Sequence, residues 1–206
     1  MMRVGTDRRQ SVEEFVAEFF AVREKDPLIY EPREDSFLML DTLAELDLRG
    51  LRVLDMGTGS GILAAYCTKK GAEVTASDID TNAVWSLGVL KRSLGISLQT
   101  VASDLFSEIH GEFDIVLFNP PYLPSQKIED RTTEGGRKGA EVIHRFLKEL
   151  TKHLTRSGYG VLLVSSLNDP QSLGVEYPML NFEILRQRSL FFETLYAVRV
   201  TARQDR

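Results

Sequence analysis

The chain has 206 residues, of which 43% are hydrophobic and 27% charged, and a net charge of −5 at pH 7. That composition suits a soluble domain with a substantial core, and the acidic balance argues against a protein that coats duplex nucleic acid. Cys67 stands alone, which excludes a disulfide within the chain and points to a reducing cytoplasm; no apolar run reaches transmembrane length, and the N-terminal "MMRVGTDRRQ" lacks the apolar centre of a signal peptide.

Residues 1–28 read as an N-terminal extension and residues 29–206 as a single domain. Within the extension, "SVEEFVAEFF" predicts an amphipathic helix capped by Ser11, with Glu14 completing a capping box and Val12, Phe15, Val16, Phe19 and Phe20 on one stripe. "DPLIYEPRED" is extended, punctuated by Pro27 and Pro32. "EDSFLMLDTLAEL" predicts a second helix with Phe37, Leu40 and Leu43 inward, and Gly50 closes that block.

From there strands and helices alternate. "LRVLDM" is an apolar strand and "GILAAYCTKKG" a helix that packs Cys67 and stops at Gly71. "AEVTASD" is a strand. The helix "DTNAVWSLGVLKRSLG" takes Asp80 as N-cap, with Val84, Leu87 and Leu94 inward, Trp85 buried and Gly95 as stop. "SLQTVAS" and "FDIVLF" are strands. "GAEVIHRFLKELTKHL" sets Ile143, Leu147, Leu150 and Leu154 at helical spacing, with Gly158 beyond. "GVLLVSS" is a strand, "DPQSLGVEYPML" a poor helix, and "FEILRQRSL" and "ETLYAVRVTA" a closely linked antiparallel pair. This order implies an α/β fold: a doubly wound, Rossmann-like, mainly parallel sheet of seven strands ending in an antiparallel pair. Ligands then bind at the carboxyl ends of the parallel strands, near the switch in strand order.

The first such end carries "DMGTGSG", Asp55 to Gly61. Gly57, Gly59 and Gly61 let the backbone approach a ligand closely, and the next helix turns its N-terminal amides towards it. The spacing is G-x-G-x-G rather than the dinucleotide G-x-G-x-x-G, and a carboxylate precedes it. A pyrophosphate gains nothing from that carboxylate; the ammonium of S-adenosyl-L-methionine does. Asp78 ends the next strand about twenty residues on, where ribose hydroxyls are recognised. Asp104, after the third strand, can accept from an adenine amino group.

The fourth strand ends in "FNPPYLP". The Asn119 side-chain oxygen and the Pro120 carbonyl can accept two hydrogen bonds from one planar –NH2. Pro120 and Pro121 restrict the backbone and set those acceptors in advance, and Tyr122 can lie against the plane of the bound group. Such a clamp suits a weakly nucleophilic nitrogen, an amide or an exocyclic base amine, whose proton leaves after methyl transfer. Positioning and fixed dipoles then supply most of the acceleration.

With these motifs in view, the sequence resembles class I methyltransferases of the HemK/PrmC-like release-factor glutamine-N5 family, and most of all their short archaeal and eukaryotic branch. The resemblance runs from about Ile29 to Val200 through "YEPREDSFLMLDTL", "DMGTGSG", "SDID", "SDLF", "FNPPYLP" and "GGRKGAEVIHRF". NPPY is shared with nucleic-acid amino-methyltransferases; "YEPREDSF" and "GGRKG" are particular to this branch. The resemblance implies the class I methyltransferase fold. It implies S-adenosyl-L-methionine held by Ser36, Asp55, Gly57, Gly59, Gly61, Asp78, Ile79, Asp104, Leu105 and Asn119, with S-adenosyl-L-homocysteine as product. It also implies catalysis by Asn119, Pro120, Pro121 and Tyr122, on the glutamine of a Gly-Gly-Gln loop in a class-1 peptide-chain release factor. Relatives work with a small zinc-binding activator protein, and some modify other proteins, including lysines. The chain departs from the branch in carrying residues 1–28 ahead of the motif, and in having no tryptophan in "EDRTTE" before "GGRKG".

His110, His144 and His153 share no ligand spacing with Cys67, so no metal site is expected. The competing readings are an adenine-N6 or cytosine-N4 methyltransferase of nucleic acid, a protein lysine methyltransferase, a cofactor-binding subunit with a vestigial site, and a nicotinamide oxidoreductase. The acidic charge weighs against the first, the intact NPPY against the vestigial site, and the glycine spacing against the last.

Overall fold

A computed structural model describes residues 5–23, 29–121, 141–168 and 170–203, with the backbone alone for residues 5–11, 168, 170 and 171. Tyr122, "EDRTTE" and "GGRKG" lie outside the described residues. Helices α1 (Gly5–Val22) and α2 (Glu34–Leu43) precede β1 (Arg52–Met56), α3 (Ile62–Lys69), β2 (Glu73–Asp78), α4 (Thr81–Leu94), β3 (Gln99–Ala102) and β4 (Phe113–Phe118). Then come α5 (Glu141–Leu150), β5 (Leu154–Ser165), α6 (Pro170–Glu176), β6 (Leu180–Ser189) and β7 (Thr194–Ala202). The strands form one seven-stranded sheet in the order β3-β2-β1-β4-β5-β7-β6. β1 to β5 run parallel and β7 lies antiparallel to both β5 and β6. The expected doubly wound sheet with its terminal antiparallel pair is thus the observed one.

The pleat explains the two cores. Along β1 and β4, Val53, Ile115 and Leu117 face one side, while Leu54, Met56, Val116 and Phe118 face the other. The first side is covered by α1 to α4, through residues such as Phe19, Leu40, Tyr66 and Leu87. The second is covered by α5 and α6, through Ile143, Phe146, Leu150 and Tyr177. Chain direction reverses its crossover side between β1 and β4, so the switch point falls between those strands.

Four local expectations give way. α1 begins at Gly5, so position 11 lies inside the helix and is not its N-cap. Phe15 and Phe19 are buried, Phe15 packing edge-on to Tyr66 of α3, while Phe20 turns towards solvent. On α4 the inward positions are Ala83, Leu87, Leu90 and Leu94; Val84 is half-buried and Trp85 is 73% exposed. Leu154 opens β5 instead of closing α5, pairing with Phe113 before the register shifts. Gly158 lies in that irregularity, and a Cβ there would come within 2.6 Å of the Phe113 carbonyl oxygen. Asp80 does cap α4, accepting from the Asn82 amide at 2.8 Å, and Gly95 ends it with φ of 64°.

The β6–β7 turn closes through Leu190 and Glu193, leaving Phe191 and Phe192 at 93% and 86% exposure. Ser165 pairs with Leu195, so this turn stands at the carboxyl end of the parallel strands. Ion pairs from Arg188 to Asp41 and from Arg186 to Glu45 tie β6 to α2 and its C-terminal flank. Since Phe19 is fully buried, Phe19→Ala is expected to cost about 3–5 kcal/mol, and Phe20→Ala less than about 1 kcal/mol, both read from urea unfolding midpoints.

Candidate functional site

Parallel pairing brings the ends of β1, β2 and β4 to one edge: Met56 is level with both Ser77 and Phe118. The glycine loop leaves β1 here. Its Thr58 amide donates to the Ser77 carbonyl at 2.9 Å and its Gly59 amide to Asp78 Oδ2 at 2.8 Å. Gly61 takes φ of 79°, and a Cβ there would meet Leu87 Cδ2 at 2.2 Å. Glycine is therefore required at that position by backbone and by packing alike.

Asp55 is buried one residue before the end of β1. Its Oδ2 accepts from the Thr58 hydroxyl at 2.6 Å and the Ala64 amide at 3.0 Å. Burial pushes its carboxyl up to about 7, against the pull of those two hydrogen bonds. Asp78 is also raised by burial, opposed by the amides of Asp80 and Gly59. Ile79, next along, is 68% exposed. Asp104 pairs at the surface with Arg145 Nη2 at 2.8 Å, so one of its oxygens is engaged. Leu105 follows with a positive φ of 51°.

At the end of β4, Asn119 is half-buried and Pro120 buried. Asn119 Nδ2 donates to Asp35 Oδ2 at 3.2 Å. Asn119 Oδ1 is buried and meets no donor among the described residues. Asp35, in the first turn of α2, is 3% exposed. It also accepts from Tyr30 Oη at 2.7 Å on Oδ2, and from the Ser36 amide at 2.6 Å on Oδ1. Ser36 is buried beside it.

The fold thus gathers Ser36, Asp55, Gly57, Gly59, Gly61, Asp78 and Asn119 about one sheet edge. Tyr122 lies outside the described residues, and Asp104 sits in an ion pair further out. Sequence reading missed Asp35 as a site residue and gave Tyr30 no role. The available signal was an acid beside Ser36 at the head of an otherwise apolar helix. Cys67 is buried, and burial raises its thiol well above the ordinary range, as fits a packing residue. Among the described residues no three His, Cys, Asp or Glu side chains cluster as metal ligands.

A fold of this kind, with a glycine loop and buried acid at the first strand and NPP at the fourth, defines a Rossmann-like methyltransferase of the SAM-dependent kind. The chain belongs to the methyltransferase small domain family, whose model matches residues 34–191, and within it to the HemK/PrmC-like proteins. It is 35% identical over 181 residues to a Methanocaldococcus jannaschii protein provisionally named a protein N5-glutamine methyltransferase, covering 84% of this chain and 91% of that one. It is 32% identical to the Mus musculus methyltransferase HEMK2, covering 70% and 75%. Among solved structures, a chain of the E. cuniculi Mtq2–Trm112 complex, responsible for methylation of the eRF1 translation termination factor, superposes with a TM-score of 0.71 and 30% identity. That match covers 85% of this chain and 99% of that one.

The raised Asp55 carboxyl sets a pH dependence. A carboxyl whose folded pKa lies above its unfolded value favours folding while protonated, and that contribution is lost as pH rises towards about 7. Ligand-free protein is therefore expected to lose stability between about pH 4 and pH 7 by up to ~1.4 kcal/mol per pH unit from this one group. Asp55→Asn is expected to flatten that slope in urea unfolding across the same range.

Proposed function

We propose that this protein transfers a methyl group from S-adenosyl-L-methionine to the side-chain amide nitrogen, N5, of a protein glutamine. The substrate is the Gly-Gly-Gln loop of a class-1 peptide-chain release factor. The observation that carries this reading is the buried Asn119 Oδ1 at the end of β4, beside the glycine loop, which meets no donor among the described residues. An orphaned buried acceptor at such a point is matched by a substrate N–H.

The residues present fit the cofactor. Asp55 offers a buried carboxylate to an ammonium, Asp78 retains acceptor capacity for ribose hydroxyls, Gly57 and Gly59 admit a close backbone approach, and Gly61 turns the loop into α3 against Leu87. Ser36, Ile79, Asp104, Leu105 and Asn119 complete the proposed binding set. When bound, S-adenosyl-L-methionine supplies an electrophilic methyl on a sulfonium and leaves as S-adenosyl-L-homocysteine. The chain's own contribution is positional. Asn119 Oδ1 and the Pro120 carbonyl accept the two hydrogens of the substrate –NH2, aim its nitrogen, and drain positive charge as it develops there. Pro121 stiffens the turn, and Tyr122 is assigned to the face of the bound amide. Transfer would join the aimed nitrogen to the methyl that the sulfonium gives up, and the extra proton would pass to water, so no residue of this chain need act as a strong base.

A polypeptide acceptor is also supported by the exposed Phe191 and Phe192 at the same end of the sheet, and by the net charge of −5. Exposed apolar rings on a chain of net negative charge suit a protein better than a phosphate backbone. The similar Mtq2 chain is held in a complex with Trm112, which supports a partner subunit here, in the role of the small zinc-binding activator that the family resemblance implies. Among the described residues no helix is long and apolar enough to cross a membrane, and a translation-factor substrate supports a cytoplasmic site of action. We assign residues 29–206 to the methyltransferase domain and residues 1–28 to an extension braced against it by α1.

Labelled S-adenosyl-L-methionine, offered with purified release factor, its Gln-to-Ala variant, RNA and DNA, tests the reading. Label is expected in the factor alone; label in nucleic acid, or surviving the Gln-to-Ala change, overturns it. Asn119→Ala is expected to lower kcat at least ~10²-fold while cofactor Kd, by calorimetry, stays within a few-fold.

A further inference from the structure

Asp35 takes no part in the reaction just described, yet it is buried at the centre of a converging set of donors. The Ser36 amide and hydroxyl approach Oδ1 at 2.6 Å and 3.3 Å. The Tyr30 hydroxyl and Asn119 Nδ2 approach Oδ2 at 2.7 Å and 3.2 Å. A primary amide is nearly the same shape either way round, so only its hydrogen-bond partners decide which end points where. A carboxylate can only accept, so the end of Asn119 that faces Asp35 must be the –NH2. The other end, Oδ1, is buried and has no donor among the described residues.

From this we propose that Asp35 is a positioning residue that sets the polarity of the Asn119 amide. It holds Nδ2 inward and so commits Oδ1 to the substrate, which makes the clamp selective for a group that donates hydrogen bonds. Asp35 is itself held by the Ser36 amide at the head of α2 and by Tyr30. The Tyr30 Cβ lies 3.8 Å from where a Cβ on Gly59 would stand, so the residue that steadies Asp35 also borders the glycine loop. One carboxylate thereby links the substrate clamp to the cofactor side of the site. The proposal rests on the function above only for the identity of the acceptor; the orientation itself needs no substrate.

Asp35→Asn keeps the shape and reverses the logic. An asparagine there has one accepting end, which cannot serve the Ser36 amide and the Oδ2 donors together. Turning its oxygen to Ser36 presents –NH2 to Asn119, whose amide then rotates and shows Nδ2 to the substrate. We expect kcat to fall about 10²-fold, the order seen when one preorganised partner is lost, with cofactor Kd and Tm little changed. Adding Asn119→Asp should recover at least about tenfold over Asp35→Asn alone, because a carboxylate at 119 accepts from both sides. A double variant no better than the single one, or cofactor affinity and Tm falling in step with kcat, would overturn the proposal.

A second measurement is independent of turnover. The chain has four asparagines, Asn82, Asn119, Asn168 and Asn181. With isotope-labelled asparagine, the NMR resonance lost in Asn119→Ala identifies the Asn119 –NH2. That resonance should move in Asp35→Asn, and an unmoved one refutes the orientation claim. If wild-type protein methylates a different amine, the glutamine reading fails while the same variants, assayed on that acceptor, still decide the role of Asp35.

Discussion

The pairing of β1 with β4 is the constraint on which the rest depends. These strands are separated by two complete βα units, yet Met56 and Phe118 are level in the sheet. That register sets the start of the glycine loop beside Asn119, bringing the buried Asp55 and the Asn119 amide, the two halves of the proposed site, to one edge. A slip of one residue would exchange the faces of β4, moving Val116 and Phe118 from the α5 side to the α3 side. The aromatic contacts of Phe118 and Phe106 with Phe146 oppose that slip from one side, and Ile115 and Leu117 oppose it from the other. Core packing and site geometry are therefore the same requirement on this strand.

The site is built from groups that are costly when empty. A buried acceptor without a donor costs about 1–3 kcal/mol, and a buried carboxylate more unless it is hydrogen-bonded. Asp55 shows the compromise: two donors hold it, but burial still wins and raises its carboxyl to about 7. In the proposed reading, the ammonium of the cofactor beside it would offset that penalty. The fully buried faces of β1 and β4 supply the stability that tolerates this arrangement.

Much of the architecture was legible because its signals are local. Apolar runs that each follow a glycine mark β1, β4 and β5, and Asp80 and Gly95 bracket α4. "DMGTGSG" and "NPPY" each hold their chemistry within a few residues. The misreadings share another cause. Leu154 continues the spacing of Leu147 and Leu150, but the chain has already turned into β5. Trp85 was assigned by its bulk, yet Ala83 and Leu87 define the buried stripe and leave it outside. The Asp35–Asn119 bond spans 84 residues, and periodicity carries no information at that range.

That long-range bond also gives α2 a reason to be where it is. A carboxylate in the first turn of a helix is stabilised by the free amides there, and Asp35 uses the Ser36 amide in that way. The helix is anchored by Leu38, Met39, Leu40 and Leu43 in the core, and by the pairing of Asp41 with Arg188 on β6. Its head therefore cannot shift without disturbing packing on both sides of the sheet's switch point. An amide on a loop end, left alone, would turn freely between its two polarities. Braced by an acid on a helix packed into the core, it keeps one of them, and the flanking prolines keep the backbone beneath it still.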